Sequence, residues 1–300
     1  MIPEFPQFKK LELGDKESVE TFTSKFVPYS DFNFVSLWSW NIKDEMRLSV
    51  LNDNIIVHFT NYLNGQLFYS FLGKNKINET VATLLDFSVK EEITPKLFLV
   101  PEDVVQAIDR KKFKVEDDVD NFDYVFDLVQ ISKYVGSQFM KKRNKIKQLL
   151  GQFPSLKVEI IDIKNKDVEE KILKLDEFWL EKKMQKDSDF KIKNELIATQ
   201  RFFKSNFVNI LGTGIFIDDE LIGYSIFSTE TSGYAISHFC KADTKYIGIY
   251  DFLMRENAKI LVEKGYFFLN YEQDLGLPGL RESKKSFMSK YLKKFTVGFA

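Results

Sequence analysis

The sequence predicts an α+β (α/β) protein made of two halves of one plan, each a mixed, mainly antiparallel sheet flanked by helices. Three observations carry that expectation. Apolar residues alternate with period two in several short runs and recur with helical period in others, so strands and amphipathic helices are interleaved. The order of these segments in residues 1–132 occurs again in residues 133–300. The 300 residues are 44% hydrophobic and 29% charged, with thirty Phe, which is ample material for buried cores.

The first half opens with a strand at Lys9–Leu13 and a helix at Asp15–Lys25. Pro28–Trp40, "PYSDFNFVSLWSW", reads as an aromatic loop and short helix. Its Phe32, Phe34, Trp38 and Trp40 are expected to pack, with Asp31 as a turn or helix cap. Arg47–Thr60 reads as two strands about a tight turn at Asn52-Asp53. Gln66–Gly73 is a third strand, Ile77–Glu91 a helix and Lys96–Val100 a strand. Pro101–Arg110 follows as a helix with proline near its start, and Asp123–Val129 as a further strand.

The second half begins with a basic linker helix over residues 137–152, with Phe139, Ile146, Leu149, Leu150 and Phe153 near one face. Leu156–Ile163 is a strand, and Lys166–Lys183 and Phe190–Asn206 are helices. Gly214–Ser228 is a hairpin about Asp218-Asp219, and Gly233–Phe239 the next strand. Tyr246–Gly265 is a long helix closed by glycine. Ile249, Phe252, Leu253, Ile260 and Leu261 form its apolar stripe; Asp251, Arg255, Lys259 and Glu263 form a charged face. Tyr266–Asn270 and Lys294–Phe299 complete the strands. Each half thus reads strand, two helices, three antiparallel strands, helix, strand, helix, strand. That is the layout of the N-acyltransferase (GNAT) fold, repeated in tandem.

Composition also excludes some functions. No apolar run approaches the roughly 20 residues of a spanning helix, and the N-terminus lacks the layout of a signal peptide. The expected location is the cytoplasm, with any membrane contact peripheral. Cys240 is the single cysteine, and His58 and His238 are the only histidines, so no disulfide or histidine-rich metal site is expected. A net charge of −1 gives no global argument for nucleic acid. Charge is nonetheless clustered: six acids lie between Glu116 and Asp127, and six bases between Lys133 and Lys147. These read either as a solvated loop and helix face or as a basic patch for a phosphate-rich ligand.

Two stretches bear on chemistry. In "KADTKYIGIYDF", Lys245 and Gly248 fit loosely the turn by which GNAT enzymes hold a cofactor pyrophosphate on backbone N–H groups. Tyr250 stands where a second small residue is usual, so the acyl-CoA signature is degenerate. In "SHFCKAD", His238 reads as a packed strand histidine or a base, and Lys241 and Asp243 lie at a strand end within a ligand's reach.

The motifs "PYSDFNFVSLWSW", "KKRNKIKQL", "HFCKAD" and "NYEQDLGLPGLRESKKSF", in that order, resemble the phosphatidylglycerol lysyltransferase C-terminal-like family over about residues 5 to 298. The family is similar to the catalytic part of lipid aminoacyl transferases and, more distantly, to Fem-type peptidyltransferases. The resemblance implies aminoacyl-tRNA as donor and a lipid head group, peptide or small-molecule amine as acceptor. A Fem-like pattern fits Gly279, Leu280, Lys284 and Phe287, and departs at Ser283, where phenylalanine is common.

Aminoacyl transfer passes through an oxyanion, which a fixed cation stabilises by roughly 3 kcal/mol. Lys284 is expected to supply it. Asp274 or Glu272 is expected either to accept the nucleophile's proton or to hold the substrate amine. Asn270, Gln273 and Arg281 are expected to orient substrate, and Tyr29, Asp31 and Asn33 to touch the acceptor. Lys142, Arg143 and Lys285 suit tRNA phosphates. The site is expected in the second half, with an acceptor cleft where the halves meet. No metal, tightly bound cofactor or stable protein partner is expected. The alternatives are an acyl-CoA (acetyl-CoA) N-acyltransferase and a non-catalytic tRNA- or lipid-binding module.

Overall fold

The computed structural model describes residues 1–61, 64–185, 192–230 and 232–300. Through the first half the elements are β1 (Lys9–Lys10), α1 (Lys16–Thr23), α2 (Phe34–Trp40), β2 (Arg47–Leu51), β3 (Asn54–Thr60), β4 (Leu67–Leu72), α3 (Ile77–Lys90), β5 (Lys96–Pro101), α4 (Glu102–Val105), β6 (Phe113–Asp117), β7 (Asp123–Asp127) and α5 (Leu128–Lys133). There follow α6 (Met140–Gln152), β8 (Lys157–Ile161), α7 (Lys166–Met184), α8 (Ile192–Phe203), β9 (Ile210–Ile217), β10 (Glu220–Thr229), β11 (Tyr234–Ala242), α9 (Ile249–Glu263), β12 (Phe268–Asn270), α10 (Pro278–Lys285), β13 (Lys290–Leu292) and β14 (Lys294–Phe299). The run from β1 to β6 and the run from β8 to β14 follow the same GNAT order, with β13 additional in the second. Phe190 and Lys191, the expected start of α8, lie outside the described residues.

Three expectations need correction. The helix expected over Pro101–Arg110 is short, because Pro101 still belongs to β5 and helix covers only Glu102–Val105. The strand expected to reach Val129 stops at Asp127, whose carboxylate accepts from Gln130 N at 3.0 Å and caps α5. The acid run is not a solvated loop throughout. Glu116 and Asp117 lie in β6, opposite Thr296 and Phe295 of β14, and Asp123 is fully buried.

By compactness the chain forms two units: Met1–Tyr124 with Glu272–Ser286 and Lys290–Ala300, and Val125–Tyr271 with Phe287–Ser289. The division at 132/133 follows the repeated element order; compactness instead returns the C-terminal segments to the first unit.

In the first unit an antiparallel sheet runs β1-β2-β3-β4, and a second one runs β5-β14-β6. The β2–β3 hairpin turns at Asn52 and Asp53, both left-handed at φ 53° and 57°. This is the backbone such a two-residue turn needs and that Asn and Asp tolerate. Leu48, Ile55, Ile56, Val57, Phe71 and Leu84 are fully buried, each worth roughly 1.5–3 kcal/mol of apolar burial.

In the second unit the strands follow the order β7-β12-β11-β10-β9-β8. β11 and β12 run parallel and pair only over Tyr234–Ile236 and Phe268–Asn270. Of the stripe expected on α9, Ile249, Phe252, Leu253 and Leu261 are buried and Ile260 is half-buried. The exposed charged face expected there is interrupted, because Asp251 is buried against Lys142.

Candidate functional site

The segment after β12 lies in the first unit from Glu272 onward, so the site expected in the second half is assembled on first-half residues. Backbone bonds fix it there. Tyr124 N donates to Glu272 O at 3.1 Å, and Leu275 N to Asp120 O at 2.8 Å. Gly276 is left-handed at φ 73°, and a Cβ on it would come within 2.9 Å of Asp120 Oδ2, so glycine is favoured there. Pro278 then starts α10, which carries Arg281 and Lys284 three residues apart on one face.

Asp274 is fully buried and fully engaged. It accepts from Arg281 Nε at 2.8 Å and Nη2 at 2.7 Å, from Tyr124 Oη at 2.5 Å and from Gly276 N at 2.9 Å. Burial alone would raise its pKa; the bonds from Arg281, Tyr124 and Gly276 outweigh burial and hold the carboxyl below its usual range. Arg281 also reaches Asp120 at 2.6 Å. These two expected site residues therefore fasten the loop to β7 and its approach.

Lys284 is 7% exposed, and its ammonium donates to Gln273 O at 2.6 Å. Burial pushes its pKa down to about 8, against the pull of Glu272 and Asp123. Burial pushes the Glu272 carboxyl up to about 8, with Lys284 opposing and Asp123 and Asp31 reinforcing. Ser36 Oγ on α2 donates to Glu272 Oε1 at 3.4 Å. Gln273 Nε2 donates to Asp31 Oδ1 at 2.6 Å.

Behind these groups lies a pair that the sequence reading missed. Lys294, the first residue of β14, is fully buried and donates to Asp123 Oδ1 at 2.6 Å and to Asp31 Oδ2. Ser30 donates to Asp123 through its N–H at 2.8 Å and its hydroxyl at 2.7 Å. Burial opposes the charge on Lys294, but Asp123 and Asp31 raise its pKa on balance. The available signal was a lysine and an aspartate each opening an apolar strand, "KFTVGF" and "DYVFD". Among the other acceptor candidates, Tyr29 is buried, with its pKa raised by burial, and Asn33 caps α2 by accepting from Val35 N at 3.0 Å. Lys285 is exposed.

The second unit uses its candidates differently. His238 is buried, its Nε2 2.9 Å from Ser228 Oγ, and burial pushes its pKa down to about 3. Lys241 lies 3.2 Å from Glu195 and 3.6 Å from Asp176, over the Trp179 ring. Asp176 also accepts from Tyr224 Oη at 2.6 Å. Asp243 accepts from Lys245 N at 3.0 Å and pairs with Lys182 and Lys245. Asn270 is fully buried at the end of β12. Lys142 bonds Asp251 at 2.7 Å and sits 3.7 Å from the Phe287 ring centre. Arg143 Nη1 donates to the carbonyls of Tyr134 and Gly136 at 2.5 and 2.7 Å. Two of the three residues expected to meet phosphate, Lys142 and Arg143, thus have internal partners.

The turns before α3 and α9 are filled by the chain itself. A Cβ on Gly73 would meet the Asn54 side chain at 1.9 Å. A Cβ on Gly248, at the N-terminus of α9, would meet the backbone of Lys145 at 3.0 Å.

A GNAT element order met twice, with polar and buried ionisable groups gathered where strands end, defines a GNAT-fold protein. The model of the family described as phosphatidylglycerol lysyltransferase, C-terminal, matches residues 25–298, and the chain belongs to that family. Three solved structures share the fold. A conserved protein of unknown function from Bacteroides thetaiotaomicron is 23% identical over all of both chains, with a TM-score of 0.82. The C-terminal domain of a candidate lysylphosphatidylglycerol synthetase from Agrobacterium fabrum is 12% identical over 95% of this chain and 91% of that one, with a TM-score of 0.65. L-PGS from Bacillus licheniformis is 11% identical over 99% and 93%, with a TM-score of 0.62. No curated protein matches the chain. No described helix is long and apolar enough to cross a membrane.

Proposed function

We propose that the chain transfers an aminoacyl group from aminoacyl-tRNA to an amine or to a hydroxyl of a lipid head group, and that the reaction runs in the first unit on Lys284 and Glu272. The observation that carries this is the buried Lys284 ammonium acting on the half-buried Glu272 carboxyl, the first pushed down and the second pushed up by burial to a pKa of about 8. Groups so displaced exchange protons near neutral pH.

The acceptor nitrogen or oxygen attacks the ester carbonyl, and the new bond forms as the carbonyl oxygen takes the electron pair. Lys284 donates a hydrogen bond to that oxyanion. The nucleophile's proton passes to the Glu272 carboxylate. The ester C–O bond then breaks, and the proton returns to the departing ribose oxygen. Asp274 takes no part, because its acceptor positions already hold the loop.

Filling of the two GNAT turns favours this donor over acyl-CoA. A pyrophosphate needs open backbone N–H groups at a helix N-terminus. Asn54 and Lys145 stand against the glycines where it would lie.

The test follows label from a mixed aminoacyl-tRNA pool, and in parallel from acetyl-CoA, into cell-extract acceptors with purified protein. Transfer from aminoacyl-tRNA is expected. Transfer from acetyl-CoA alone sinks the proposal, and tRNA binding without transfer identifies a binding module.

A further inference from the structure

The strands that open the two GNAT runs leave their sheets with different edges. In the first unit that strand, β1, is two residues long, and the chain before it also pairs with β2. Val50 N donates to Pro3 O at 2.9 Å, and Phe5 N to Val50 O at 2.8 Å. So short a strand, led in by Pro3 and Pro6, offers another chain little to pair with. In the second unit β8 ends the order β10-β9-β8, and among the described residues no strand lies beyond it. It is five residues long and contains no proline. Its antiparallel register with β9 is unbroken, from Lys157 opposite Phe216 to Ile161 opposite Gly212. Short length, proline and bulge, three devices that blunt an edge, are all missing from it.

A fourth device, charge, is present in a form that cancels against itself. Lys157 and Glu159 are exposed, share one face of the strand and pair at 2.9 Å. On the other face Val158 is half-buried and Ile160 is 55% exposed, an apolar side chain left in water beside a sheet edge. The run Leu156-Lys157-Val158-Glu159-Ile160 is therefore complementary to its own reverse. A second β8 laid antiparallel about Val158 sets Lys157 opposite Glu159 twice, Ile160 opposite Leu156 twice, and Val158 opposite itself. Opposite charges and apolar pairs placed directly across a ladder both stabilise it. A slip of one residue would set Lys157 against Ile160 and Glu159 against Val158, so one register is selected.

We infer that β8 is the interface of a homodimer, in which a second copy of the chain pairs antiparallel with it about Val158 and continues the sheet of the second unit. The contact uses the same patch on both copies, so it closes at two. Five-residue strands bury little area, and the dimer is accordingly transient, with a Kd of roughly 10–100 µM. The outer strand of the other open sheet, β6, also carries Lys-Val-Glu, at residues 114–116. It does not match itself. Phe113 would meet Asp117, and Glu116 already pairs with Lys96 of β5 at 3.0 Å as well as with Lys114 at 2.7 Å.

Exchanging the charges tests both the interface and its register. Sedimentation of the full chain over about 1–500 µM should show the mean mass climbing from the 35.2 kDa of one chain toward twice that. Lys157→Glu sets glutamates opposite one another at both charged pairs, and Glu159→Lys sets lysines there. Each should weaken the dimer about tenfold or more. Mixed in equal amounts, the two variants should associate as the wild type does, because every charged pair is then opposite in sign. The double variant should do the same alone. Both positions are exposed, so thermal unfolding of each variant should match the wild type. A wild type that stays monomeric throughout, single variants that associate like it, or a mixture that stays monomeric each overturns the inference. So does a dimer that Lys114→Glu dissolves and Lys157→Glu leaves intact, which would move the contact to β6.

Discussion

Each compact unit buries a lysine between two carboxylates, and the two clusters end differently. In the second unit Lys241 meets Asp176 and Glu195, and Lys183 adds a second cation 3.5 Å from Glu195. Two acids face two bases, although Asp176 Oδ2 has no hydrogen-bond partner and burial raises its pKa. In the first unit Lys294 is closed off between Asp31 and Asp123, and burial drives the Lys284 ammonium and the Glu272 carboxyl toward their neutral forms. A matched cluster holds helices to a sheet. An unmatched one keeps a group near its titration point, where a ligand or a reaction can tip it.

The largest expected effect tests whether that contrast is real. Lys294→Met strands two buried carboxylates, so it should cost about 3–5 kcal/mol of stability in chemical denaturation, and Asp123→Asn should restore part of it. Lys241→Met should cost less, about 1–3 kcal/mol, because burial already raises the pKa of Asp176 and lets it take a proton. Equal losses would break the comparison. Next in size, Lys284→Ala should lower turnover about a hundredfold. Stability should barely move, since burial already opposes the charge on Lys284. Lys241→Met should leave turnover unchanged. A Lys284→Ala protein with full turnover would remove that residue from the mechanism.

How much of this was legible in the sequence follows from range. Hairpins, helix periods and the repeated order are local, and Asn52-Asp53 or the apolar stripe of α9 declare themselves within a few residues. Lys284 and Glu272 were legible as a dense polar motif. Their partners were not, because Asp31, Asp123 and Lys294 meet only after the C-terminal strand β14 inserts between β5 and β6. Asp274 looked catalytic for the same reason in reverse: Tyr124, far away in sequence, joins Arg281 and the Gly276 N–H in using up its lone pairs. Lys142 and Arg143 looked like phosphate ligands because basic composition does not reveal a partner such as Asp251 or a helix-end carbonyl.

Each unit should answer to acid through a histidine whose pKa burial depresses. His238 has a depressed folded pKa of about 3 against an ordinary 6.5. Its contribution is therefore complete above pH 6.5 and is lost as pH falls toward 3. At about pH 5 the loss should be roughly 2 kcal/mol. In the first unit His58, pushed down to about 4 by burial, loses its contribution in the same window, while the raised carboxyls of Glu272 and Asp31 act with the opposite sign. Between about pH 7 and 5 the stability change of the wild type should therefore differ from that of His238→Gln by roughly 2 kcal/mol. An unchanged slope in that variant would place the acid sensitivity elsewhere.

The smallest effects sort the basic helix α6. Lys142 is tied to Asp251 and Phe287, so Lys142→Met should cost about 1 kcal/mol of stability through lost pairing and packing. Its influence on tRNA should be slight. Lys141, Lys145 and Lys147 are exposed, and Lys145 pairs with Asp251 only at 3.8 Å. If α6 meets tRNA phosphates, Lys141→Glu with Lys147→Glu should weaken tRNA binding and flatten its salt dependence by about two phosphates' worth of slope, with stability unchanged. Filter binding across a salt series reads this directly. Should Lys142→Met change the salt slope while the double variant does not, the inner lysine would be the phosphate ligand after all, and the Asp251 pair a resting state that nucleic acid opens.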